Sequence, residues 1–319
     1  MLTAYNEHKE RILAQHAQKD MCYFCPVCEE QMVLKQGRKN IAHFAHSHQC
    51  HHQGTGETAL HCKLKAHIYH VLSRKYHHVQ LEPYLSEIQQ IPDIVVNNTA
   101  LEIQLSVIPV EQMRQRTECL VRAGYHVIWL TMLPRYRQGV YVFNQLQQAC
   151  IHPKRHMMYG IHPTTYQLYR LRNLMSITAR QFVADCEEAS YAQLVEEVIA
   201  DLSEMMTVRK LATVRILRYL MYCRRKDSVH EPTLSAMYRM QLSDEQVVQL
   251  TGFIFPEQLY IYTHPVLWQL KVLEALSQQG NPYEVMRQCL KFRQFAIGNV
   301  SQRELTAHLI ERYKKILKL

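Results

Sequence analysis

Between positions 57 and 74, Leu60, Leu64, Ile68, Val71 and Leu72 recur at steps of three and four residues. That spacing gathers them on one stripe and predicts a helix over 57–74. Glu57, His61 and Lys65 follow along one edge of the stripe at four-residue steps. The period then shortens. Val79 and Leu81 start a strand, Ile94-Val95-Val96 forms a second that ends in the turn Asn97-Asn98, and 100–107 forms a third. In the third, Leu101, Ile103, Leu105 and Val107 alternate with Glu102, Gln104 and Ser106, giving one greasy face and one polar face. A helix is predicted over 110–124, with Gly124 as its C′ stop. The continuous apolar run His126-Val127-Ile128-Trp129-Leu130 suits a strand covered on both sides. Strand, helix, strand implies a crossover connection and a mixed α/β sheet.

The flanks read differently. Residues 1–20 suggest a short hairpin, and 22–52 are crowded with Cys and His. Beyond 150, a short hairpin or loop region runs to about 178, followed by helical stretches at 190–206, 208–225, 232–250, 264–279, 282–292 and 301–318. Pro232, Gly252, Pro256, Pro265, Gly280 and Pro282 punctuate them. Trp268 and the tyrosines of this half read as core.

Composition narrows the classes. With 319 residues, 47% hydrophobic and 20% charged, the chain is globular and long enough for more than one domain. No apolar run reaches the ~18 residues of a membrane span. The first residues offer neither a basic head nor an apolar signal core, so the expected location is cytoplasmic and no membrane partner is expected. A formal charge of +9 favours a polyanionic partner, because Lys and Arg release counterions from phosphates. Ten cysteines in a reducing compartment point to metal before disulfides. Cys62, Cys119, Cys150, Cys186, Cys223 and Cys289 are scattered and read as small buried hydrophobes.

Two constellations carry chemistry. Cys25-Pro26-Val27-Cys28 forms a knuckle that aims two sulfurs at one ion, and His43-Phe44-Ala45-His46 supplies a second pair with the same gap. Four N/S ligands make a closed, tetrahedral, structural Zn2+ site. Cys22, His48, Cys50, His51 and His52 are near enough to substitute. The H-x-x-H gap is not that of a finger helix that reads DNA.

The second constellation is acidic. Glu57 on a helix, Asp93 at the start of one strand and Glu102 within the next arrive in the order of a PD-(D/E)xK nuclease. Phosphodiester hydrolysis calls for a divalent cation, Mg2+ or Mn2+, to polarise the phosphate and lower the pKa of an attacking water. Asp93 and Glu102 are placed to share it, with Glu57 as a third oxygen donor. The position two residues after the second acid is Gln104, where the pattern usually has Lys; Lys65 or His61 on the helix edge could supply the missing function. Arg114, Arg116 and 312–315 are further candidates for phosphate contact.

These residues resemble the bacterial competence protein CoiA family. The resemblance is carried by Tyr23-Phe24-Cys25-Pro26-Val27-Cys28, Leu34-Lys35-Gln36-Gly37, His43-Phe44-Ala45-His46, the helix residues Glu57, His61 and Lys65, Ile91-Pro92-Asp93, Leu101-Glu102-Ile103-Gln104-Leu105-Ser106 and Val127-Ile128-Trp129-Leu130. A looser match in the second half rests on His264-Pro265-Val266-Leu267-Trp268-Gln269. The resemblance implies an α/β fold with a zinc-ribbon-like module at 1–55 and a restriction-endonuclease-like mixed-sheet core at 56–150; the residue pattern itself gives a mainly helical domain at 151–319. It implies a role in natural transformation, beside the RecA recombinase, on single-stranded or branched DNA intermediates. Glu57, Asp93, Glu102 and Gln104 take the nuclease-site positions. The expected activity is a metal-dependent DNA nuclease. The alternatives are a non-catalytic DNA-binding recombination mediator on a nuclease scaffold and an adaptor whose helical half binds a protein.

Overall fold

The computed structural model describes residues 1–37, 41–47, 58–196, 206–226, 230–298 and 300–319. In chain order the elements begin with β1 (Thr3–Tyr5), β2 (Arg11–Leu13), β3 (Tyr23–Phe24), β4 (Gln31–Lys35) and β5 (His43–His46). They continue with α1 (Ala59–Ser73), β6 (Val79–Leu81), β7 (Ile94–Val96), β8 (Thr99–Ile103), α2 (Val110–Arg122) and β9 (His126–Met132). Next come β10 (Arg135–Arg137), β11 (Val140–Val142), α3 (Gln145–Ala149), β12 (Met158–Ile161), β13 (Leu168–Ser176), β14 (Gln181–Ala189) and α4 (Tyr191–Glu196). The remainder is β15 (Arg209–Lys210), α5 (Thr213–Arg224), α6 (Pro232–Arg239), α7 (Asp244–Leu250), β16 (Phe253–Ile254), α8 (Pro265–Ser277), α9 (Pro282–Cys289) and α10 (Gln302–Leu317). The mixed α/β class expected from the sequence is what the chain adopts. No helix among the described residues is long and apolar enough to cross a membrane.

The chain divides into two compact units. The first comprises Met1–Leu133, Tyr159–Arg170 and Glu188–Asp201. Its N-terminal strands form a sheet in the order β2-β1-β3-β4-β5, closed over Ala4, Ala14, Tyr23, Cys25, Met32 and Phe44. The other sheet of this unit runs β12-β9-β8-β7-β6. β6, β7 and β8 form an antiparallel meander, and β8 pairs parallel with β9 through the α2 crossover, Glu102 opposite Trp129. The end of α2 follows its residues closely. Gly124 has φ +88° and donates to Val121 O at 3.0 Å, while Tyr125 donates to Leu120 O at 3.0 Å. This is the Schellman pattern, in which a left-handed C′ residue turns the chain and satisfies the last carbonyls.

Several expectations change: the start of the part expected to be mainly helical forms strands β12, β13 and β14, the helix expected over 232–250 splits into α6 and α7, and two changes fall near the acids. α1 starts at Ala59, with Thr58 Oγ1 accepting the His61 N–H at 3.3 Å, so the hydroxyl caps the helix. The third strand stops at Ile103, not 107, and each of its residues is buried. Glu102 is therefore only 2% exposed and does not sit on a solvated face. Arg116 on α2 lies over the Glu102 carboxylate, which a lone amphipathic strand would leave wet.

The second unit comprises Pro134–Met158, Leu171–Glu187 and Leu202–Leu319. β10 pairs with β11, and β11 with β14, all antiparallel. Helices α5 to α8 pack over Ile216, Leu220, Ala236, Val247, Val266 and Leu270. A second apolar cluster gathers Phe255, Trp268, Val272, Leu309 and Tyr313. Trp268 is fully buried, as expected, and its Nε1–H donates to Gln258 Oε1 at 2.8 Å. Tyr222 and Tyr238 do not follow that expectation; they are 60% and 85% exposed. Arg293 joins the sequence-distant parts of this unit. It is buried, donates to Gln148 Oε1 at 2.7 Å and Ser176 Oγ at 3.3 Å, and lies 4.9 Å from the Phe182 ring centroid.

Candidate functional site

The knuckle at Cys25–Cys28 is built by the backbone. Cys25 N–H donates to Glu30 O at 2.9 Å, Glu29 N–H donates to Cys25 O at 3.0 Å, and Val27 N–H points at Cys25 Sγ at 3.4 Å. β4 and β5 then bring His46 across, with Cys28 Sγ and His46 Nε2 3.3 Å apart. Ligand atoms of Cys25, Cys28 and His46 all lie within 4.8 Å of one another. Two sulfurs and one imidazole nitrogen suit a thiophilic cation in tetrahedral geometry.

His43 is not brought to this group. Its Nδ1 lies 2.9 Å from Ile41 O. The reason is the period of a strand: residues three apart on β5 face opposite sides, whereas on a helix they share a face. Cys22 is half-buried and takes the Gln31 side-chain N–H at 3.5 Å. His48, Cys50, His51 and His52 lie outside the described residues.

The acid cluster is organised by the β7–β8 hairpin and α1. Ile94 pairs with Leu101, so Asp93 and Glu102 stand one step further along the same ladder. Asp93 Oδ2 accepts the Ile103 N–H at 2.7 Å and lies 3.3 Å from His61 Nε2. Lys65, 1% exposed, places Nζ 3.5 Å from Asp93 Oδ1. Glu102 accepts the Arg116 Nη2–H at 2.8 Å on each oxygen. The structure thus brings Asp93, Glu102, His61 and Lys65 into one buried network. Glu57 lies outside the described residues. Gln104 is turned away, its amide donating to Ser106 O at 2.7 Å and Ser106 Oγ at 3.2 Å. With the strand ending at Ile103, the alternation that would have kept Gln104 on the acidic face no longer applies.

One member was missed by sequence. Glu82, 2% exposed, forms a buried ion pair with Lys65 and accepts from Leu2 N–H at 2.7 Å, Thr3 N–H at 3.0 Å and Thr3 Oγ1 at 3.2 Å. It sits in the left-handed region (φ +51°) immediately after β6, and its own N–H donates to Asp93 O at 2.8 Å. β1 therefore clamps the carboxylate that holds Lys65, and Lys65 reaches Asp93.

The charges explain one another. Burial opposes ionisation of Asp93, but Lys65, His61 and the Ile103 amide overcome it and hold the carboxyl below its ordinary range. Burial pushes Glu102 up to about 7; Arg116 pulls it back, and the neighbouring Asp93 charge adds to the rise. Among the described residues, Asp93 and Glu102 do not form a tight metal-ligand trio of the Cys25, Cys28, His46 kind. Asp93 and Glu102 could hold a divalent cation only with Arg116 drawn back from Glu102, since the guanidinium now covers both of its oxygens.

Residues 57–202 match the family described as competence protein CoiA, nuclease-like domain, and residues 5–53 match competence protein CoiA, N-terminal domain. The competence protein CoiA of Bacillus subtilis (strain 168) is 30% identical over 130 residues, which are 39% of this chain and 35% of that relative's length. The chain thus aligns with about a third of the curated relative it matches. No solved structure matches.

Proposed function

This chain belongs to the competence protein CoiA family, and from that membership and the buried acid network we propose that it processes DNA as a divalent-metal-dependent nuclease. Its place would be in the cytoplasm during natural transformation, on single-stranded or branched intermediates handled beside the RecA recombinase. The observation that carries the reading is the convergence of Asp93 and Glu102 from adjacent strands with Lys65 from α1. Lys65 brings the positive charge that Gln104 lacks, from a helix instead of the strand. A bound Mg2+ or Mn2+ would polarise the scissile phosphate and acidify the attacking water. Asp93 and Glu102 would hold it, Lys65 would offset charge on the phosphate, and His61 would orient Asp93. The Cys25, Cys28, His46 group is assigned to a structural Zn2+ that stiffens the small N-terminal module.

The test is cleavage of labelled single-stranded and branched DNA with Mn2+ or Mg2+. We expect cutting that Asp93→Asn abolishes while DNA binding persists. A second reading, a DNA-binding recombination mediator on a nuclease scaffold, is favoured by one observation: Arg116 already neutralises Glu102. Normal binding with no metal-dependent cutting of any substrate decides for that reading.

A further inference from the structure

Four of the five cations that sequence marked for phosphate contact are already partnered. Arg114 pairs with Glu111, Arg116 with Glu102 at 2.8 Å, Arg312 with Glu257 at 2.7 Å and Lys314 with Glu311 at 3.4 Å. Another stretch is not neutralised in this way. Between positions 209 and 226 seven residues are Lys or Arg and none is acidic. Arg224 pairs with Asp244, and Lys226 lies 3.7 Å from Glu231. Arg209, Arg215, Arg218 and Arg225 make no ion pair among the described residues.

Most of this stretch is α5. Ile216, Leu220 and Cys223 are buried and fasten the helix to the core of the second unit. Val214, Arg218, Met221, Tyr222 and Arg225 fall on the opposite face by helical spacing and are exposed, Tyr222 to 60%. Lys226 lies 5.0 Å from the Tyr222 ring centroid, so the ring already stacks with a cation at its edge of the patch.

We propose that this outer face of α5 binds single-stranded DNA, with Arg218 and Arg225 on phosphates and Tyr222 under a base. Charge complementarity chooses a polyanion: four arginines on one stretch have no ion pair among the described residues, and α5 itself carries no carboxylate. The exposed ring chooses an unpaired strand, whose bases can stack on an aromatic surface while the backbone follows the cations. A membrane surface fits less well: a helix lying in lipid headgroups inserts a continuous apolar stripe, and on α5 that stripe, Ile216, Leu220 and Cys223, is buried in the protein, while the exposed Val214 and Met221 are interrupted by Arg218 and Arg225. The inference rests on the DNA-processing reading and is independent of catalysis.

The experiment is fluorescence anisotropy with the full-length protein and a labelled oligo-dT strand, without added Mg2+ or Mn2+. The variants are Arg218→Gln/Arg225→Gln, Tyr222→Ala and the control Arg312→Gln. All substituted side chains reach solvent, and circular dichroism checks the fold. Each α5 variant is expected to weaken binding roughly tenfold, as the loss of a stacked base or of phosphate contacts does, and the control much less. The double arginine variant should also lower the salt slope by about 1.4, or about 0.7 per phosphate contact on a single strand. Wild-type affinity in both α5 variants overturns the site. So does a Tyr222→Ala variant with full affinity, or an equal loss on duplex of the same length. Loss of binding to phosphatidylglycerol vesicles with oligo-dT binding intact overturns it in favour of a membrane surface. A wild-type protein that cuts no substrate with Mg2+ or Mn2+ but binds oligo-dT through α5 refutes the nuclease reading alone.

Discussion

Nη2 of Arg116 stands 2.8 Å from both carboxylate oxygens of Glu102, on a side chain 3% exposed. One guanidinium nitrogen thus occupies the position from which a divalent cation would address this acid. The pair sets up a competition between Arg116 and metal. It also explains why Glu102 can be buried in a fully covered strand at all, since a buried carboxylate without a counterion would stay protonated.

Arg116→Ala should destabilise the protein in a pH-dependent way. Glu102 is already pushed up to about 7, chiefly by burial, and removing Arg116 takes away the strongest opposing influence. An acid whose folded pKa lies above its unfolded value stabilises the fold when protonated and loses that contribution as pH rises through the folded pKa. The variant should therefore lie closer to wild type at pH 6 than at pH 8, where the lost charge-assisted hydrogen bonds cost roughly 2 kcal/mol. Added Mn2+ should recover part of the loss at pH 8. Thermal melts at the two pH values, with and without Mn2+, measure both effects; a deficit independent of pH contradicts the assignment.

Lys65 and Glu82 should behave as a coupled unit. Both are buried, at 1% and 2% side-chain exposure, so removing one partner leaves an uncompensated charge. Glu82→Gln and Lys65→Met should each cost roughly 3–5 kcal/mol, and the double variant much less than their sum. Urea titrations of the four proteins give the coupling energy. Strict additivity would show that the ion pair is incidental.

The N-terminal metal group gives a test that separates two histidines. The protein as purified should carry about one equivalent of zinc, as a closed structural site does. Cys25→Ala/Cys28→Ala and His46→Ala should lose it, whereas His43→Ala should keep it, because His43 is turned to Ile41 O. Elemental analysis by mass spectrometry reads the outcome directly. Metal lost with His43 and retained without His46 would reverse the assignment.

What sequence could show here was governed by how local each signal is. α1, β7, α2 and β9 follow from periods of 3.6 and 2, and Gly124 marks the end of α2 because a left-handed C′ residue is a local demand. The order Asp93 then Glu102 was legible because a short hairpin fixes their register. Glu82 gave no such signal. Its donors are Leu2 and Thr3, some eighty positions away, and nothing in Leu81-Glu82-Pro83 announces a buried carboxylate. His43 was misplaced because H-x-x-H converges on a helix and diverges on a strand. Gln104 was misplaced because alternation was carried past the end of β8. In each case the missing knowledge was a tertiary boundary that residue spacing does not encode.

The second unit should be sensitive to acid through His264. This residue caps α8, with Nδ1 accepting the Val266 N–H at 3.3 Å, and its ring lies flat on Tyr219 with centroids 3.6 Å apart. Burial pushes its pKa down to about 3. A proton on Nδ1 would also replace the acceptor that the helix end needs. The unfolded chain therefore binds a proton that the folded chain refuses between its ordinary 6.5 and about 3. A base whose folded pKa is depressed contributes stability above its unfolded pKa and loses it as pH falls through that window. The slope from this group is about 1.4 kcal/mol per pH unit. His152, pushed down to about 4 by burial, adds a second contribution of the same sign. His264→Asn keeps a side-chain oxygen for the cap and cannot titrate, so it should remove about one proton from the slope of unfolding free energy between pH 4 and 6. The lost stacking on Tyr219 should cost the same amount at each pH. Urea denaturation at pH 4, 5, 6 and 7 separates the two effects: an offset without a change of slope would mean that His264 stays neutral in the unfolded chain or takes up its proton in the folded one.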